Sequence, residues 1–490
     1  MKKRNLIFSF KSAVLAAFLP LSLMAGEQPN IVFILADDLG YGDIQVLNPK
    51  HGKIKTPAVD KLAAEGMIFT DAHSGSAVCT PTRYGLLTGR YSWRTTLQSG
   101  VVQGFKPNLI AEDRATVASF LKNQGYHTGI VGKWHLNFQY TDATTGTAIK
   151  RKGKKTLAPV GSKISDGPLT RGFDYYHGFH HARDMKGVIE NDTVIAHEKE
   201  INMLPRITRK SVEYIEARAA DKETPFFLYV PYGSPHTPIV PTKEWRGKSG
   251  LNLHADFVMQ TDDGVAQIMA ALDKHDLTEN TLVIFSADNG TSKSAKIPEL
   301  AEKGHLVSAG FRGSKADLWE GGHRVPFVVR WPKHVAAGST NDQLICLNDL
   351  FATTSEITGK ALPHNGAEDS VSFLPALSGK PIISTRAGVI HHSISGHFAY
   401  RQGKWKLLLA KGSAGWTGPK ENAISKNAPK AQLYDLEKDP GETTNLYETH
   451  PEIADKLLKQ LESDVSRGRS TEGPDQANDT EQIILWKTKS

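Results

Sequence analysis

The sequence predicts an α/β fold: a large domain with a central, mostly parallel sheet sandwiched by helices, and a smaller C-terminal α+β domain. Three observations carry that expectation. Short continuous apolar runs rich in branched residues alternate with segments of helical period, the pattern of strands buried on both faces. The runs stop abruptly in polar clusters, at the strand ends where open sheets bind ligands. Beyond residue 385 the texture changes to short alternating segments and one helix. With 490 residues, 39% hydrophobic and 23% charged, the chain exceeds one minimal core and is too balanced for a disordered, collagen-like or coiled-coil protein. Its two cysteines, Cys79 and Cys346, allow at most one bridge, which excludes a disulfide scaffold.

The first element is a leader. Lys2, Lys3, Arg4 and Lys11 precede an apolar run over 13–24 that ends in small residues, so residues 1–25 read as a secretory signal peptide. The run is too short to span a bilayer, and no later segment reaches the roughly 20 apolar residues that spanning needs. A periplasmic or secreted protein with no membrane partner is expected, and the leader carries no cysteine that would anchor a lipid. Without its four bases the formal net charge falls from +7 to +3, so charge indicates no nucleic-acid partner.

The large domain, residues 26–385, opens on the apolar run 30–36, which ends in Asp37 and Asp38. Thr56 and Pro57 read as cap and first residue of a helix that Gly66 stops before a strand over 67–70. The same grammar recurs at Thr116 to Gly125, feeding a strand over 127–131 that ends in Gly132, Lys133, Trp134 and His135. A run over 225–230 leads to the loop with His236. A helix carrying Val258, Val265, Ile268, Met269 and Leu272 precedes a strand over 281–286 that ends in Asp288, Asn289 and Gly290. Parallel alignment of these strands places Asp37, Lys133, His236 and Asp288 around one crevice. Residues 146–165, rich in lysine and glycine, read as a solvated insertion. Residues 386–490 form the smaller domain, with strands over 398–409 and 432–436 and a helix over 451–466.

Chemistry concentrates around Cys79. Pro81 suits the first turn of a helix ending at Gly89, which sets Cys79 just before a helix N-terminus, where free N–H groups favour an anion. Asp37, Asp38, Asp288 and Asn289 are oxygen donors, suited to a hard cation such as calcium or magnesium rather than zinc. Taken singly, Asp-Asp after a strand is a common helix cap and Asp-Asn-Gly a common turn. Lys133 and Lys315 stand beside glycines that let backbone approach an anion closely.

Cys79, Pro81 and Arg83, followed by Leu87, Thr88, Gly89 and Arg90, match the signature of the type I sulfatases, which the chain resembles. Asp37 to Gly42, Gly132 to His135, Pro235 to Pro238, Ser286 to Gly290, Arg312 to Lys315 and Trp319 to Pro326 occur in that family's order. The C-terminal Leu433 to Leu436 and Asp439 to Glu442 are similar as well. The resemblance implies an alkaline-phosphatase-like fold and a sulfuric ester hydrolase. It implies that a maturation enzyme oxidises Cys79 to formylglycine, whose hydrated aldehyde supplies the attacking oxygen. The metal is then calcium, with magnesium second, held by Asp37, Asp38, Asp288, Asn289 and the modified Cys79. Arg83, Lys133 and Lys315 clamp the sulfate. His236, with Lys315, protonates the departing sugar oxygen, while His135 takes a proton so that sulfate is expelled.

The residues around Ser76 to Arg94 look most like carbohydrate sulfatases that include N-acetylgalactosamine-6-sulfatases, which implies galacto-configured sulfated glycans as substrate. His181, Arg183 and Asp184, after His180, are candidates to recognise the sugar; a plain surface loop is the alternative. Two rival functions remain open at this point. One is a formylglycine-dependent phosphonate or phosphodiester hydrolase, and the other a catalytically silent glycan-binding protein. Asn289 speaks against a two-zinc phosphatase, where histidine or carboxylate would be wanted.

Overall fold

The strand Asn30–Asp37 is buried along its whole length because it lies at the middle of a sheet covered on both faces. The computed structural model describes residues 28–153 and 156–487, so the leader expected at 1–25 lies outside the described residues. Among the described residues, twelve strands form the main sheet. Its centre runs Thr281–Ala287, Asn30–Asp37, Phe226–Pro235, His127–Lys133 and Tyr175–Phe179, all parallel. Ile31 stands opposite both Phe227 and Leu282. The parallel character belongs to this centre. Phe327–Arg330 and Met67–Phe69 add antiparallel strands on one flank, and Gly187–Glu190 begins an antiparallel series on the other.

Helices cover the faces, and one is capped from a distance. Pro57–Ala64 has the expected proline in its first turn, but the Thr56 side chain does not cap it. The Asp262 carboxylate, from the helix Leu253–Lys274, instead accepts the N–H groups of Ala58 and Val59, both at 2.9 Å. Thr116 does cap Val117–Lys122, forming a reciprocal box with Ser119. The stretch 146–165 is only in part a solvated insertion: its end, Lys163–Ile164, pairs with Tyr140–Thr141 and extends the sheet edge.

The second sheet is an antiparallel meander of Val389–His392, Phe398–Gln402, Trp405–Leu408 and Gln432–Asp435. Against it packs the helix Pro451–Ser466 through Ala454, Leu457 and Leu461. Tyr91 and Trp93, from the segment just after the Cys79 helix, insert into this same core. This sheet is also tied by charge to the short helix Glu320–His323. Lys406 Nζ lies 2.9 Å from Glu320 Oε1, 2.9 Å from Glu442 Oε1 and 3.0 Å from His323 Nε2, all wholly buried. Burial and the Glu320 carboxylate push Glu442 up to about 7 against the pull of Lys406. Removing the ammonium would leave two buried acids facing each other. Lys406→Met should therefore cost about 3–5 kcal/mol of stability, read from denaturant unfolding; a change below about 1 kcal/mol would mean the acids are neutral and the pair carries little.

Candidate active site

The carboxyl ends of the central strands converge as the sequence predicts. Asp37 ends one strand and Lys133 another, and Lys133 Nζ meets Asp37 Oδ2 at 2.5 Å. Asp288 follows a third strand, and its Oδ1 accepts the Asp38 N–H at 3.1 Å. His236 follows a fourth, with Nε2 3.6 Å from Asp38 Oδ2. Asp38 itself sits at φ 63°, a left-handed conformation that non-glycine residues adopt at a cost. That twist turns its carboxylate toward Lys315, which bonds Asp38 Oδ1, as does Asn289 Nδ2 at 2.9 Å.

Cys79 is the first residue of the helix Cys79–Thr88 rather than the residue before it, and Gly89 ends the helix at φ 64°. Its sulfur and one oxygen each from Asp37 and Asp288 lie within 4.8 Å of one another. Burial pushes the thiol above its usual range despite Lys133 and Lys315, so as an unmodified thiol it is a poor nucleophile. Both cysteines are free, and Cys346 is buried elsewhere, in the short strand Ile345–Cys346.

Arg83 organises the floor. Its Nε and Nη2 donate to Asp288 Oδ2 at 3.1 and 2.8 Å, and its Nη1 donates to the Lys133 carbonyl at 3.2 Å. Burial opposes ionisation of Asp37, but Lys133, His236, Arg83 and Lys315 hold it well below the usual carboxylate range. Asp288 goes the other way: burial and the Asp37 carboxylate push it up to about 7 against Arg83. A cation would relieve that crowding of negative charge. The atoms to receive one are present, because Asp37 Oδ1, Asp38 Oδ2 and Asn289 Oδ1 are buried without a hydrogen-bond partner. An all-oxygen set of this kind suits a hard divalent cation. The sequence-derived donors therefore fit such an ion.

His135 lies behind Lys133 at φ 56°, wholly buried. Its Nε2 is 3.1 Å from the Val102 carbonyl, so Nε2 carries the proton and Nδ1, which has no partner, keeps its lone pair. Burial, then His181 and Lys133, hold its pKa well below the usual histidine value, which keeps that lone pair free. The Thr80 hydroxyl donates to the His135 carbonyl and the Val102 N–H donates to Thr80 Oγ1. Nothing in the sequence marked Val102, because it acts through its backbone. Gly132 is needed for packing: a Cβ there would sit 2.0 Å from the Pro231 carbonyl of the neighbouring strand.

The loop after Tyr175–Phe179 brings His181 against His135, ring centroids 4.3 Å apart. Arg183 is exposed and its Nη1 donates to Gln103 Oε1 at 2.5 Å. Asp184 is buried; its Oδ1 accepts the His181 N–H at 2.8 Å, so it braces the turn from within.

Comparison with known proteins agrees with this geometry. The Sulfatase family model matches residues 29–360, and a model described as N-sulphoglucosamine sulphohydrolase, C-terminal, matches 314–469. N-acetylgalactosamine-6-O-sulfatase of Bacteroides thetaiotaomicron is 32% identical over 493 residues, covering 89% of this chain and 93% of its own. Arylsulfatase A of Bos taurus is 32% identical over 480 residues, covering 90% and 88%. A solved structure from work on glycosaminoglycan metabolism by Bacteroides thetaiotaomicron superposes with a TM-score of 0.79 at 30% identity, over 90% of this chain and 100% of that one. The phosphonate monoester hydrolase of Agrobacterium radiobacter shares the fold alone, at a TM-score of 0.58 and 18% identity over 90% of this chain and 96% of that one. Among the described residues no helix is long and apolar enough to cross a membrane. The family match over most of the chain, with relatives 32% identical over nearly the full length, makes this protein a member of the sulfatase family and a sulfuric ester hydrolase.

Proposed function

We propose that the protein hydrolyses a sulfate ester of a carbohydrate, of galacto configuration, using formylglycine made from Cys79 and a calcium ion. The observation that carries this reading is the meeting of the Cys79 sulfur with Asp37 and Asp288 oxygens within 4.8 Å, ringed by Arg83, Lys133 and Lys315. The glycan assignment is supported by the N-acetylgalactosamine-6-O-sulfatase relative. Formylglycine at position 79 would supply an oxygen nucleophile, and Asp37, Asp38, Asp288 and Asn289 would hold a divalent cation that favours anionic oxygens there.

The chain's own residues do the rest. Asp37, Asp38 and Asp288 balance Arg83, Lys133 and Lys315 in charge, so adding a divalent ion leaves the crevice positive and receptive to a sulfate monoester. Lys133 and Lys315 hold sulfate oxygens, and Arg83 fixes the Asp288 carboxylate. His236 protonates the leaving oxygen from Nε2, with Lys315 beside it, and His135 accepts a proton at Nδ1. His181 and Arg183 border the sugar, and Asp184 keeps their loop in shape. A catalytic unit over 26–385, a C-terminal unit over 386–490, periplasmic or secreted location and a formylglycine-generating partner complete the reading.

Two measurements test it. Turnover of a panel of sulfated mono- and oligosaccharides should exceed turnover of matched phosphate and phosphonate esters; a preference for the latter would favour the rival hydrolase. Calcium removal by a chelator should abolish activity, and zinc should not restore it. Elemental analysis should find the metal lost in Asp288→Ala, and stoichiometric metal in Asp37→Ala, Asp38→Ala and Asp288→Ala alike would contradict the ligand set.

A further inference from the structure

The crevice has a wall contributed by the C-terminal part of the chain. Trp416, in the loop after Trp405–Leu408, places its indole with Lys315 Nζ over the ring at 5.8 Å and Lys293 Nζ over it at 5.1 Å. Lys315 is the residue that bonds Asp38, so the ring lies beside a member of the crevice, while Lys293, a few residues after Asp288, Asn289 and Gly290, is exposed. Trp416 is half-buried, whereas Trp93, Trp134 and Trp319 are sealed inside the protein.

Its position is imposed. The Trp416 and Thr417 N–H groups both donate to Asp317 Oδ1, at 2.8 and 3.0 Å, and the Thr417 hydroxyl lies 3.3 Å from that of Ser314. Gly415 permits this approach: a Cβ there would fall 2.4 Å from both the Ala316 carbonyl and Asp317 Oδ1. The loop is thus clamped onto the turn that carries Lys315. An indole carried on a pinned backbone beside cationic groups suits a ring with an apolar C–H face that also bears an anionic ester.

We propose that Trp416 is a specificity-determining residue, stacking on the sugar ring that carries the scissile sulfate while Lys315 and Lys293 face its anionic group. This rests on the carbohydrate reading above. It adds a contact to the leaving group rather than to the sulfate.

The experiment compares wild type, Trp416→Ala and Trp416→Phe as matured, calcium-loaded enzymes on a sulfated galacto-configured sugar that the wild type turns over. Inorganic sulfate serves as a competitive inhibitor that lacks the ring. Trp416→Ala should raise KM about tenfold, with kcat within about threefold, Trp416→Phe should recover most of the loss, and the inhibition constant for sulfate should stay unchanged. Thermal unfolding of the half-buried position checks that the fold persists; an unfolded Trp416→Ala leaves Trp416→Phe against Trp416→Leu as the deciding pair, the aromatic binding sugar and the aliphatic not. Unchanged KM in Trp416→Ala overturns the assignment, as does a sulfate inhibition constant that rises with KM, which would mean Trp416 only shapes the sulfate pocket. Aryl sulfate turnover by the wild type with none of any sugar sulfate would sink the carbohydrate reading, and this assignment with it.

Discussion

Replacing Cys79 with alanine should reduce turnover by about 10⁴-fold or more, the scale expected when a covalent nucleophile is deleted. An unmodified thiol would be a poor replacement for the proposed formylglycine, because burial pushes its pKa up. Protein made with an active maturation system should yield a peptide spanning Cys79 that is lighter by the thiol-to-aldehyde difference in mass spectrometry. Cys79→Ser, unmodified in most hosts, should fold and bind substrate while remaining inactive, since serine keeps the first position of the helix Cys79–Thr88. Full activity in Cys79→Ala would exclude the mechanism.

His236→Ala should separate two kinds of leaving group. A sugar alkoxide needs a proton as it departs, whereas an activated phenolate leaves unaided, so activity on a sugar sulfate should fall about 10²–10⁴-fold while an activated aryl sulfate is hydrolysed nearly as before. The geometry matters to this outcome. His236 Nδ1 lies 2.5 Å from the Thr237 carbonyl and donates to it, so the proton handed on must sit on Nε2, the atom 3.6 Å from Asp38 Oδ2. Burial lowers the His236 pKa, opposed by Asp38 and Asp37, whose negative charge helps to keep Nε2 protonated. Equal losses on both substrates would mean that His236 positions sulfate, and the acid role would pass to Lys315. His135→Ala should impair turnover of both substrates, because in the proposed mechanism its proton is taken after the leaving group has gone.

The central strands were legible in the sequence because each is buried on both faces and so reads as an unbroken apolar run, as Ile31 to Ala36 does. Their polar ends were legible for the same reason: Asp37, Lys133, His236 and Asp288 stand out against the runs that precede them, and parallel alignment brings them together. The flanks were not. Met67–Phe69 was expected as a strand, but not its place on the flank, and Lys163–Ile164 is too short to show a period; both are placed by the partner whose edge they cover. Caps that come from another element are invisible along the chain, as with Asp262 on Pro57–Ala64.

By itself the sequence determined the α/β class, the polar residues that end the central strands and the resemblance to sulfatases, from which Cys79 is proposed as the nucleophile, because these rest on local order and residue chemistry. Only the tertiary structure decided which atoms are left without partners, which nitrogen of His135 keeps its lone pair, that Asp184 turns inward, and that Trp416, more than 300 positions from Cys79, stands beside Lys315. Each depends on three-dimensional contacts, and the last depends on how the four-stranded sheet docks through Lys406, Tyr91 and Trp93. No local pattern in the chain encodes such a docking.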